Sequence, residues 1–344
     1  MNRTDQSPAG AGLNPEREWL VPSAILTAGL GLAALLLMPI AGYKHIPPYF
    51  GHFINWVKVF LFGGSFVTAL FLARQALRGA ESPLRELWKN VLQHGRSYVM
   101  IAAGIMLAGI DMLFFMWIKP EVTAVSPFWA DDLLAKVDHV IFRTDPWRLF
   151  SGIDLAFHAW AYSFFWAVAI MVTLMWLVVQ PPSRERSASL LNYFVLWSLF
   201  GPIGQFLGSA AGPIFYDRVG LGDRFDPLHA HIPEITNRLS GYLWTFHTTG
   251  TLGVGAGISA MPSLHIATVT WIYLAFRGQH SRMAPLAVVF AIYMWAMSVA
   301  LGWHYAIDGI VGAAGALGCH ALCRAWLRMG ERMALPKQVS QLPA

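Results

Sequence analysis

Two short segments near the C-terminal end carry residue types that could do chemistry. One is AMPSLH (260–265) and the other is WHYAID (303–308). His304 and Asp308 are four residues apart, so on a helix they share one face. A carboxylate in that position can hold one ring nitrogen of the imidazole and leave the other free to attack. A histidine nucleophile beside an orienting acid is the general arrangement of covalent catalysis. His265 follows Pro262 and Ser263 at the start of an apolar run. A helix N-terminus there offers free N–H groups to a phosphate, with the Ser263 hydroxyl as a further donor. His265 is then placed to protonate a leaving oxygen. A nucleophilic histidine, an acidic histidine and an anion cradle together make a phosphoryl-transfer site.

These residues must be positioned by membrane helices. The chain has 344 residues, of which 56% are hydrophobic and 12% charged, against about 25% charged in a soluble domain. A hydrocarbon core takes ~20 apolar residues per helix. Eight runs meet or approach that length, at 19–41, 52–73, 97–118, 154–179, 188–210, 262–277, 284–302 and 304–327. The first is too long for the core of a cleavable signal, and reads as a retained span. The expected fold is therefore all-α, a polytopic transmembrane bundle of about eight spans. A polar tail at 1–18 is expected to be disordered. Residues 19–153 carry the N-terminal spans and an outer segment, 154–328 the membrane core with the motifs, and 329–344 a second tail.

Lys and Arg are concentrated in the two tails and in 74–96, 180–187 and 277–283. The alternate segments 42–51, 119–153 and 211–261 are longer in total and hold most of the acids, among them Glu121, Asp131, Asp138 and Asp145. The positive-inside rule then puts both termini in the cytoplasm. With an even number of spans, His265 and His304 both open on the non-cytoplasmic face. The basic residues lie between apolar runs rather than in a stripe, so membrane anchoring, not nucleic-acid binding, explains the net charge of +5. Residues 119–153 read either as an amphipathic helix on the outer leaflet or as a plain connection. Residues 211–261 lead into the first motif and are expected to roof the site.

AMPSLH followed by HYAID resembles the type 2 phosphatidic acid phosphatase superfamily, nearest to the branch of inositol phosphorylceramide synthase and the sphingomyelin synthases. The resemblance covers about 205–328 and implies a six-helix catalytic core. It implies that His265 is the acid, His304 the nucleophile forming a phosphohistidine, and Asp308 its orienting partner. Ser263 would contact phosphate, and neither a metal nor a cofactor is required. The departures matter. Family members of the phosphatase type carry Ser-Arg upstream of the nucleophile, where this chain has Met297 and Ser298. Leu264 stands for a glycine, and GPIFYDR (212–218) replaces a Lys-and-Arg motif. Arg218 is the candidate replacement for the phosphate-binding guanidinium, with pairing to Asp217 as the competing reading.

The expected activity is phosphoryl transfer on a lipid phosphate or phosphodiester in the bilayer, with a phosphotransferase of the inositol phosphorylceramide synthase type favoured. A lipid phosphate or polyprenyl pyrophosphate phosphatase is the alternative. A transporter using Asp111, His304 and Asp308 as a relay is the rival from another class. The enzyme reading fails if the His265 and His304 rings lie more than ~10 Å apart with no polar cleft between them. Asp111, inside the third run, is expected to bond a polar neighbour such as Gln205. Cys319 and Cys323 read as packing residues. His229, His231 and His247 lack a carboxylate at ligand spacing for a metal.

Overall fold

The computed structural model describes residues 16–43, 50–253 and 255–334. Residues 1–15 and 335–344, most of the two expected tails, lie outside the described residues. Among the described residues the fold is all-helical, with no strand. The first three helices are α1 (Arg17–Leu37), α2 (Phe50–Leu77) and α3 (Pro83–Val125), and both α1 and α2 pack on α3. α3 opens with Ser82, whose hydroxyl accepts the N–H of Arg85, followed by Pro83 in the first turn. Both choices suit a helix start. The helix bends at His94, where the backbone leaves helical values. It does not stop where the apolar run stops. It continues through Lys119 and Pro120 to Val125, so Lys119 belongs to the helix and not to the following connection.

The stretch 119–153 folds as the end of α3, a helix α4 (Asp131–Phe142) and a 3-10 turn at Pro146–Phe150. α4 is amphipathic in an unusual sense. Leu133, Val140 and Ile141 are exposed, while Asp131 and Asp138 are buried beside Leu134 and Ala135. The exposed face suits a leaflet surface. The buried acids serve the interior, as described below.

α5 (Ala156–Val178) and α6 (Arg184–Val195) follow, and α6 runs through a π-helical segment at Leu196–Phe200 into α7 (Gly201–Leu207). Pro202 has no N–H and crowds the carbonyl four residues back. Gly201 N–H reaches past it to Leu196 O, the wider ladder of a π-bulge. Two short helices, α8 (Asp226–His231) and α9 (Glu234–Thr249), occupy the segment before the first motif. The last three are α10 (Leu264–Gly278), α11 (Ala284–Ala300) and α12 (Ala306–Ala334). α10 is the hub, packed against α5, α6, α11 and α12. Its Trp271 is fully buried and donates from Nε1 to Ser189 O at 2.7 Å.

All eight apolar runs lie on helices. Among the described residues, six helices are long and apolar enough to cross a membrane. α10 and α11, with 15 and 17 residues, are about 22 and 25 Å long at ~1.5 Å per residue, short of a ~30 Å hydrocarbon core. Phe157, Phe164 and Val172 on α5 and Val289 and Ile292 on α11 are exposed. An apolar lateral surface of this extent fits an integral membrane protein.

Two buried polar groups tie helices together, and one differs from expectation. Asp111 accepts hydrogen bonds from Thr27 (2.9 Å) and Ser198 (2.6 Å), not from Gln205. It ties α1 and the π-bulge to α3, while Gln205 is left to line a cavity. Arg186 is fully buried, donating to the Leu177 and Val178 carbonyls and to Glu16 at 2.7 Å. That ion pair fastens the start of α1 to α6. Cys319 and Cys323 are free, and Cys323 sits in the main core.

Candidate active site

Three distant stretches of backbone are laced together at one end of the bundle. Ala260 N–H donates to Ala210 O (2.8 Å), Ile214 N–H to Gly302 O (2.9 Å) and Ser263 N–H to Asp308 O (3.2 Å). Two glycines make this possible. Gly212 has φ +102°, and a Cβ there would lie 2.6 Å from Trp303 O. At Gly312 a Cβ would lie 2.3 Å from Ser263 O. No other residue allows α12 to approach the start of α10 so closely. The weave brings AMPSLH and WHYAID side by side.

His304 is buried, with 5% of its surface exposed. Its Nδ1 donates to the carbonyl of Ala260 at 2.7 Å. A carbonyl only accepts, so Nδ1 carries the hydrogen and Nε2 holds the lone pair. Asp308 Oδ2 lies 3.5 Å from the same Nδ1 and accepts the N–H of Tyr305 at 2.9 Å. The tautomer that the spacing assigned to Asp308 alone is thus fixed first by a backbone carbonyl, with the carboxylate behind it. Nε2 faces Ser263 Oγ at 3.2 Å. Ser263 is fully buried and also caps α10, its Oγ accepting the N–H of Ile266 at 3.4 Å.

His265 occupies the first turn of α10. Its ring packs on Trp166 (4.2 Å between centroids) and Tyr162 (4.8 Å), and lies 5.9 Å from the His304 ring. This is inside the ~10 Å limit for a shared reacting group. Both histidines line one cavity of about 400 Å³. Its walls come from α3, α5, the π-bulge and α7, α9 and the loop 255–259, so the 211–261 segment does cover it. Most of the wall is apolar or aromatic, including Phe115, Met116, Trp166 and Trp197. Leu264 is accommodated beside Gly201, where a Cβ would meet its Cδ1 at 2.9 Å.

The structure brings His265, His304, Asp308 and Ser263 together and leaves Arg218 apart. Arg218 does not line the cavity. Its guanidinium sits over the rings of Phe215 (5.8 Å) and Trp244 (6.0 Å). Asp217, its suggested partner, lies 3.6 Å from His229 instead. Met297 and Ser298 are buried and outside the lining, and Ser298 Oγ donates back to Trp295 O at 2.7 Å. The lysine that does line the cavity is Lys119 of α3. Of the other histidines, His247 packs against Phe128 and Trp244, and burial lowers its basicity. His231 packs against Trp147 with the rings tilted.

Two aspartates of α4 support the site from outside the motifs. Asp138 accepts the N–H groups of Ala306 (2.6 Å) and Ile307 (3.0 Å), the first residues of α12. It caps that helix from another element, satisfying donors that would otherwise be orphaned and favouring the positive end of the dipole. Asp131 accepts from Ala211 N–H (2.7 Å), Gly212 N–H (2.8 Å) and Tyr305 OH (2.9 Å). Together they fasten residues 211–212 and 305–307 beside His304. Burial lifts the Asp138 carboxyl to about 6, with Asp308 and Asp145 adding to the rise and the two N–H bonds opposing it. Asp145 holds Arg224 at 2.6 Å. In the sequence these acids marked only the sidedness of the loop.

Residues 153–322 match the family model of the PAP2 superfamily, whose members are phosphatases and phosphotransferases. The match supports that superfamily, and it covers every motif residue while stopping short of α1–α4. No curated protein and no solved structure matches the chain.

Proposed function

We propose that this chain is a membrane enzyme of lipid phosphoryl transfer that works through a phosphohistidine. The observation that carries the reading is the His304 ring, with Nδ1 tied to Ala260 O, Nε2 against Ser263 Oγ, and the residue lining one cavity with His265. His304 Nε2 attacks phosphorus and a P–N bond forms. The bond from phosphorus to the leaving oxygen breaks, and His265 gives that oxygen its proton. A second hydroxyl then attacks the phosphohistidine, His265 takes its proton, and His304 is restored. Ser263, released from Nε2, donates to a phosphate oxygen. Asp308 stabilises the charged imidazole.

The acceptor is proposed to be a lipid or polyol hydroxyl, making the protein a phosphotransferase of the inositol phosphorylceramide synthase kind. The absence of an arginine at Ser298 and the mostly apolar cavity support that choice over simple hydrolysis. Eight crossings, counting the short α10 and α11, would put both termini in the cytoplasm and the site on the opposite face. The distribution of Lys and Arg supports this. An impermeant maleimide should label Asp226→Cys, but not Ser281→Cys, in intact cells; the reverse pattern would overturn the orientation.

The activity is tested by offering the purified protein labelled phosphatidate, polyprenyl pyrophosphate, and phosphatidylinositol with ceramide. Chromatography separates transfer products from hydrolysis products. His304→Ala should abolish both, by about 10⁴-fold or more. Full activity in that variant would end the mechanism.

A further inference from the structure

We propose that Lys119, with Gln205 and Ser259, forms the headgroup pole of the cavity, and that its ammonium is the cation that holds the substrate phosphate. This rests on the phosphoryl-transfer reading and adds to it a ligand-binding element from outside the matched region, on α3.

Three observations converge. Lys119 lines the cavity with both histidines. Among the described residues no carboxylate lies within ion-pair distance of it. A cation set among apolar walls is costly unless an anion joins it, and the anion that completes this one must come from the cavity's occupant. Second, Gln205 Oε1 and Ser259 Oγ are buried in the same lining without a hydrogen-bond partner, and Gln205 is only 3% exposed. Unpartnered buried polar atoms are rare, and a polar headgroup would satisfy these. Third, the spacing on α3 fits an amphiphile. Met112, Phe115, Met116 and Lys119 all line the cavity, and their spacing of 0, 3, 4 and 7 residues puts them on one helix face. That face runs from apolar to cationic over about 10 Å. An acyl or prenyl chain along the methionines and Phe115 brings its phosphate to Lys119 and to His304. Among the described residues no arginine lines the cavity: Arg218 lies over Phe215 and Trp244, and position 298 is a buried serine.

The test uses the full chain in detergent with Lys119→Met, Lys119→Arg and Arg218→Met. Two quantities are read: kcat/KM on the best lipid donor, and the shift in melting temperature caused by inorganic phosphate. Lys119→Met should lose at least about tenfold in kcat/KM, the size expected for a lost charge-assisted bond, and should lose the phosphate-dependent shift. Lys119→Arg should recover kcat/KM to within about threefold, since the charge is kept. Without phosphate, the melting temperature of Lys119→Met should not fall, because an unpaired charge has been removed. If Lys119→Met proves unstable, Lys119→Gln is read in the same way. Unchanged kcat/KM and an unchanged phosphate shift in the Lys119 variants would overturn the proposal, as would a loss confined to Arg218→Met. If no lipid is turned over by any form, the transfer reading fails. The phosphate shift then still decides the anion site by itself.

Discussion

The two halves of this molecule contribute to the site in different ways. The part from α5 to α12 holds the candidate site's side chains, whose types and spacing stand out in the sequence: His265, His304, Asp308 and Ser263. The part from α1 to α4 has no motif, yet it supplies Lys119 to the cavity wall and Asp131 and Asp138 to the backbone around His304. The first half-site is chemical and local. The second is positional, and exists only once the chain is folded. A candidate nucleophile can thus stand out in the sequence while the elements that hold it come from a different part of the chain.

That contrast can be sharpened by variants ordered by expected effect. The largest, short of removing His304, belongs to Asp308→Asn. Where an acid alone fixes the tautomer of a catalytic histidine, this change costs about 10⁴-fold. Here the carbonyl of Ala260, at 2.7 Å, keeps the proton on Nδ1. The loss in kcat should therefore stay near 10²-fold, the part due to stabilising imidazolium. A full 10⁴-fold loss would mean that Ala260 O does not hold the tautomer. The Lys119→Met variant comes next, at tenfold or somewhat more, and reports directly on the motif-free half.

Asp138→Asn is expected to cost about tenfold, because an amide accepts poorly from two adjacent N–H groups and the His304 turn shifts slightly. It also has a pH signature. The native state raises the Asp138 carboxyl to about 6 from an ordinary 3.8, so the folded protein binds that proton more tightly than the unfolded chain. The stability from this group is full below about pH 4 and is lost as pH rises through 6. Melting temperature should decline over that interval in the wild type and decline less in Asp138→Asn. Parallel curves would show that Asp138 does not titrate in this window. The smallest effect is expected from Arg218→Met. The ring contacts it loses are worth about 0.5–1 kcal/mol of stability, with activity changed less than about threefold.

Much of the architecture was legible in the sequence because apolar length and helical spacing are local properties. The eight runs all fall on helices, and the four-residue spacing of His304 and Asp308 puts them together. The orientation of His304 was only half legible. A backbone carbonyl such as that of Ala260 leaves no trace in residue type. Lys119 was hidden by Pro120, which reads as a helix end, whereas α3 continues through it and turns Lys119 inward. Asp131 and Asp138 looked like loop acids because their partners are backbone N–H groups of residues 211–212 and 306–307. Arg218 stands out by its place in GPIFYDR, while in the fold its guanidinium lies over the rings of Phe215 and Trp244. Asp111 found hydroxyls of Thr27 and Ser198 rather than the amide of Gln205, since α1 and the π-bulge pass closer to it.

The central claim is that His304 Nε2 carries the phosphoryl group. It is tested most directly by mixing the protein with a donor labelled on phosphorus, quenching in base, and mapping the label by mass spectrometry. The account expects an acid-labile, base-stable phosphate on His304 in the wild type. His265→Ala should form it from donors with good leaving groups, and His304→Ala should form none. Turnover with label on another residue, or with no phosphoenzyme while His304→Ala stays active, would contradict it.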